Sequence, residues 1–137
     1  MRKTMLLIAA LVMFASAQAA NDYVFINDTG KSKIYIVNNR FSFTDHAIKA
    51  WILNDFAKPD TGGPGKPYSS LLYQAEFNCT DRTKTLLYVA AYSARMAKGA
   101  PNHTFDTVKQ NMESTHNIIP GSTDDELIEI LCKKFTK

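Results

Sequence analysis

Apolar positions follow two rhythms along this chain. As far as Ala94 they fall in short β-favouring runs, and near the end they fall at helical spacing. Tyr23, Val24, Phe25 and Ile26 make the first run, closed by the turn signal Asn27, Asp28, Thr29, Gly30. Ile34, Tyr35, Ile36 and Val37 repeat that chemistry. Asn38 and Asn39 tolerate left-handed backbone, and Phe41 and Phe43 then alternate with Ser42 and Thr44. These positions predict a short second strand followed by a hairpin-like turn. Residues 47–56 read as a third strand, buried on one face and partly on the other, with Trp51, the sole tryptophan, expected to anchor the core.

Residues 58–67 carry three prolines and three glycines, which support neither a ladder nor a helix and predict a surface loop. Residues 68–78 and 82–94 are rich in Leu, Tyr, Phe and Val, with Cys79, Thr80 and Asp81 between them. This pattern predicts a hairpin turning beside Cys79. Ala90, Ala91 and Ala94 leave a helical alternative open for the second stretch. Gly99 and Pro101 mark a loop over residues 96–103. Residues 104–117 suit an edge strand, although 108–113 could also turn helically.

Pro120 and Gly121 halt the preceding chain, and Ser122 or Thr123 can cap a helix. Asp124, Asp125 and Glu126 place negative charge on its first turn, where unpaired amides favour it, and Thr123 with Glu126 fits a capping box. Leu127, Ile130 and Leu131 form the apolar stripe, with Cys132 adjoining it, and Lys133 and Lys134 suit the C-terminal end. The capping site makes an acidic metal site at these carboxylates the weaker reading.

The start of the chain changes the picture of where this protein works. Arg2 and Lys3, an uncharged apolar run over residues 5–14 and the small-x-small site Ala17, Gln18, Ala19 have the layout of a secretory signal. Residues 1–19 are therefore expected to be removed, leaving residues 20–137 as a single exported domain. The apolar run is half the roughly 20 residues a spanning helix needs, so no membrane span is expected. No cysteine stands near the cleavage site to accept a lipid. The formal charge of +3 owes two charges to Arg2 and Lys3. The mature chain is nearly neutral, its basic residues interspersed with acids, which argues against a nucleic-acid partner. Cys79 and Cys132 are its two cysteines. In an oxidising compartment their pairing is the default, with two buried thiols as the alternative. A bridge closing a loop of about 50 residues contributes roughly 4 kcal/mol in the chain-entropy model.

Several blocks occur in a familiar order. Trp51, Ile52, Leu53 precede Asp55, Phe56 and a Pro/Gly-rich loop; Tyr68, Ser69, Ser70 and then Glu76, Phe77, Asn78, Cys79 are followed by Asp81 and Arg82. Ile119, Pro120, Gly121, Ser122 and a helix carrying Leu131 and Cys132 complete the set. Over most of the mature chain this resembles the surface-adhesin protein E-like family of proteobacteria. The resemblance implies an α+β fold, an antiparallel sheet of about six strands with a C-terminal helix packed on it, and a disulfide between Cys79 and Cys132. It also implies a bacterial envelope adhesin that binds host matrix proteins, with a reported link to haem.

The residues themselves supply little reactive chemistry. His46, His103 and His116 are scattered without metal-ligand spacing, so no metal and no haem or other cofactor is expected. No serine lies in G-x-S-x-G and the cysteines read as structural, so no catalytic residue is assigned and an enzyme is not expected. Tyr68, Tyr73, Tyr88 and Tyr92, with Phe77, could form an exposed aromatic binding face or pack between sheet and helix. The favoured reading is a non-enzymatic exported binding domain, in the periplasm or at the cell surface, that meets a protein partner through a sheet face or the 58–67 loop. A periplasmic structural or accessory protein without a host partner is the alternative. Oligomeric state is not legible.

Overall fold

The computed structural model describes residues 22–62 and 67–135 of the 137-residue chain. The proposed signal, residues 1–19, lies outside the described residues, as does the centre of the Pro/Gly-rich loop. No helix among the described residues is long and apolar enough to cross a membrane.

The described residues form one antiparallel sheet and one α-helix. The strands are β1 (Tyr23–Asp28), β2 (Ser32–Phe43), β3 (Ala47–Asp60), β4 (Tyr68–Asn78), β5 (Thr83–Tyr92), β6 (His103–Asp106) and β7 (Thr115–Asn117). The helix α1 spans Thr123–Phe135. Strand order follows chain order from β1 to β6, and β7 pairs with β5 beside β6. The fold class read from the sequence is the one observed, with seven strands in place of about six.

Alternation sets the two faces. Ile34 and Ile36 of β2, Ile48, Ala50 and Ile52 of β3, and Tyr73, Ala75 and Phe77 of β4 form the core beneath Leu127, Ile128 and Leu131 of α1. At 25 cal/mol per Å2 each fully buried side chain of this size contributes about 2 kcal/mol, which is what holds α1 down. The helix stripe differs from the expected one: Ile128 is fully buried and Ile130 only partly. Burial selects i, i+1, i+4 because the helix presses a broad face, not a narrow seam, on the sheet.

The capping differs as well. Ser122 caps α1, its Oγ accepting from Asp125 N–H at 3.2 Å, and Asp125 accepts from Gly121 N–H at 2.9 Å. The first turn is thus closed by Ser122 on Asp125 N–H and by Asp125 on Gly121 N–H, in place of a Thr123–Glu126 box. The Cys79–Cys132 disulfide joins the β4–β5 turn to α1 with Cα atoms 5.9 Å apart. Around it Arg82 donates to Asp125 and, at 2.9 Å, to Glu129, while Lys84 donates to Asp124 at 2.8 Å.

Three predicted segments came out otherwise. The expected turn at Asn38 and Asn39 is a bulge inside one strand: the β2–β3 register shifts between Ile36 and Phe41, and Asn39 takes φ 60° without reversing the chain. Residues 58–60 of the expected loop remain in β3, because a register shift between Asp55 and Asp60 accommodates Pro59, which can donate no ladder bond. Tyr68 Oη donates to Asp60 at 3.0 Å and closes that end of the pair. The expected edge strand over 104–117 is split into β6 and β7, with an excursion between them. The stretch that also allowed a helix, 82–94, is a strand, since Val89 and Leu86 pack against the core where alanine propensity alone would not decide.

Candidate functional site

The face of the sheet away from α1 carries a groove built by strand register. Trp51, Gln74, Tyr88 and Asp106 are successive cross-strand partners on β3, β4, β5 and β6. Lys49, Glu76, Thr85 and Thr115 form the next row on β3, β4, β5 and β7. Directly opposed residues in an antiparallel ladder project to one side, so eight residues distant in sequence share one surface. A bulge in β5 places Leu87 outside the ladder, between the partners of Gln74 and Ala75, where it lines the groove.

The two rings meet edge to face, with centroids 5.8 Å apart and planes at 66°. This is the favoured geometry for aromatic pairs and fixes both side chains. Thr85 and Thr115 hydroxyls lie 2.7 Å apart and tie β7 to β5. The cavity is about 750 Å3, large enough for several residues of an extended segment.

The wall opposite Trp51 is the excursion between β6 and β7. It is pinned at its root by Thr107, only 4% exposed, whose N–H donates to the Leu87 carbonyl at 3.1 Å and whose hydroxyl donates to the Leu86 carbonyl at 2.7 Å. Asp106 Oδ1 accepts from Lys109 N–H at 3.0 Å, and Met112 N–H donates back to the Thr107 carbonyl at 2.9 Å. The turn is therefore ordered, yet it leaves Val108 53% and Met112 60% exposed. Val108 shares the groove with Trp51 and Tyr88, and a bared aliphatic side chain beside an aromatic pair is a feature of interaction surfaces.

Next to the groove the same face is crossed by the short 3-10 turn Arg95–Ala97. The buried carboxylate of Asp55 accepts from Arg95 Nε at 3.1 Å, Arg95 Nη2 at 2.5 Å and Met96 N–H at 2.8 Å. That bond holds the Arg95 guanidinium above its ordinary pKa. Ser70 Oγ donates to the Ala94 carbonyl at 2.6 Å and accepts from Ala97 N–H at 2.9 Å. These contacts impose positive φ on Met96 and Ala97, at 57° and 52°.

The four tyrosines singled out in the sequence do not form one patch. Tyr73 lies beneath α1 with the Lys84 ammonium 4.8 Å over its ring, and burial raises its phenol pKa far above the ordinary value. Tyr88 and Tyr92 alternate onto the opposite face, Tyr88 in the groove. Tyr68 packs edge to face on Phe56 at 5.7 Å near the β3–β4 end. Trp51, expected in the core, is instead half-buried on the groove floor. His46 lies at the β2–β3 turn, His103 begins β6 and His116 lies in β7. No group of three His, Cys, Asp or Glu side chains suited to a metal occurs among the described residues. Trp51 and Tyr88 were visible in the sequence, and Glu76 stood in the Glu76–Cys79 block without a binding role; Lys49, Gln74, Val108 and Glu113 carried no signal.

Residues 23–133 match the model of the surface-adhesin protein E family, and the chain belongs to that family. Among solved structures it is similar to protein E of Haemophilus influenzae in crystal form II, with a TM-score of 0.64 at 15% identity, covering 85% of this chain and 91% of that one. Protein E from non-typeable Haemophilus influenzae matches with a TM-score of 0.61 at 16% identity, over 83% of this chain and 77% of that one. At such identity the likeness is one of fold. No curated protein matches the chain significantly in sequence.

Proposed function

We propose that residues 1–19 are an export signal that is then removed, and that residues 20–137 act as one non-enzymatic adhesin-type domain that binds a host matrix protein. The observation that carries the reading is the Trp51–Tyr88 groove, walled on one side by the exposed Val108. Family membership supports adhesive function, and the groove supplies a concave, partly apolar surface with polar groups at its rim, which is what protein recognition uses. Tyr92 extends the same face. A rigid sheet with a pinned wall needs little reordering on binding, which lowers the entropic cost of association.

The test is a solid-phase assay of the purified protein on immobilised vitronectin and laminin, paired with protease shaving of intact cells. Saturable binding to at least one matrix protein, lost in Trp51→Ala and Tyr88→Ala, together with cleavage by external protease, is the expected result. A chain confined to the periplasm and protected from protease would instead be an envelope accessory protein without a host partner.

A further inference from the structure

Charge and shape on the groove rim together select a class of partner. Lys49 Nζ lies 4.0 Å from Glu76 and Lys109 Nζ lies 4.0 Å from Asp106, so each lysine is offset by a carboxylate of the same groove. Glu113, on the wall, has no ion-pair partner among the described residues. The groove thus holds three carboxylates against two ammonium groups, and its unbalanced charge is negative. An indole and a phenol form its floor, and aromatic faces attract cations. Val108 presents aliphatic surface in the groove that would gain nothing from the hydroxyls of a glycan but would be covered by an aliphatic side chain.

We infer that the groove takes an extended cationic segment of a partner protein, seating a lysine or arginine against the Trp51–Tyr88 pair beside Glu113 while an apolar neighbour covers Val108. The inference rests on the groove being the binding site proposed above, and it names the chemistry of what binds there. An arginine guanidinium suits both parts of the site, stacking on the indole and pairing with the carboxylate.

Trp51 is the sole tryptophan, so emission excited at wavelengths where tyrosine does not absorb reports this groove. The probe is a short fluorescein-labelled peptide alternating arginine with valine, followed by anisotropy, with an unlabelled copy used for Trp51 emission. Controls are the same peptide with glutamate replacing arginine, a heparin-derived oligosaccharide and a neutral chitin oligosaccharide. Saturable binding of the arginine peptide alone, with a change in Trp51 emission, is expected. Affinity should fall about fivefold in Glu113→Gln and with added salt, and also in Val108→Ser, with unchanged circular dichroism. The inference is overturned by the glutamate peptide binding as well as the arginine peptide, by an oligosaccharide changing Trp51 emission while the peptide does not, by peptide binding that leaves Trp51 emission unmoved, or by failure of the peptide to bind. If the peptide fails but Trp51→Ala still abolishes matrix binding, the cationic chemistry is wrong and the groove stands. If matrix binding survives Trp51→Ala as well, the groove itself is the wrong site.

Discussion

Met96 and Ala97 show how single residues are held in unfavourable backbone by their surroundings. A non-glycine residue in the left-handed region costs roughly 1 kcal/mol, and here two in succession are stabilised by Asp55 and Ser70 below them. Ala97→Gly removes the Cβ that makes φ 52° costly while keeping the N–H that bonds Ser70. It is expected to stabilise the protein by up to about 1 kcal/mol, read as a higher urea midpoint with unchanged slope. A lower midpoint would show that the turn carries no strain. None of this was legible beforehand: Gly99 and Pro101 marked a loop, but the carboxylate that organises it lies 41 positions from Met96.

At the scale of elements, α1 is joined to the β4–β5 turn twice, covalently through Cys79–Cys132 and electrostatically through Arg82. The carboxyl of Asp125 is held below its ordinary range first by the Gly121 N–H and then by Arg82, and that of Glu129 by Arg82 and Lys133. Folded-state values below the unfolded ones mean that the unfolded chain takes up protons first as pH falls. The contribution of these groups is complete above the usual carboxylate range and is lost as pH drops through and below it. With the disulfide intact, acid weakens the join without freeing the helix. Replacing both cysteines by alanine should cost about 4 kcal/mol at neutral pH. It should also move the loss of helical circular dichroism to a higher pH than in the parent; coincident acid transitions for the two proteins would show that the ion pairs around Arg82 do not hold the helix. The sequence placed the helix, its acidic first turn and the paired cysteines correctly. It left the cap open between Ser122 and Thr123, because the two are equivalent until the backbone fixes which one is non-helical.

The whole molecule is organised as one covered and one open sheet face, and the two carry different tasks. Phe77, with no exposed surface, lies at the centre of the covered face. Phe77→Ala is expected to cost about 4 kcal/mol by transfer and cavity terms, a large part of a typical domain's 5–15 kcal/mol. Chemical denaturation followed by Trp51 emission measures that loss. Because Trp51 is on the other face, its native emission in Phe77→Ala should match the parent before unfolding begins. An altered native spectrum would mean that the faces are coupled through the sheet.

The sequence by itself determined the α+β class, the strand-rich body, the closing helix and the resemblance that the family match bears out. These features rest on local propensity and alternation, which are written in neighbouring residues. Tertiary structure alone decided the groove. Trp51, Gln74, Tyr88 and Asp106 meet only because four strands adopt one register, and Lys49, Glu76, Thr85 and Thr115 meet for the same reason. Register also decides faces: shifting β3 by one residue would turn Trp51 to the covered face and so into the core, where the sequence alone had placed it. The bulge at Leu87 and the excursion that bares Val108 and Met112 are set by how the strands fit one another without a local signal, whereas the bulge after Ile36 had one in Asn38 and Asn39, whose left-handed tolerance does not tell a bulge from a turn.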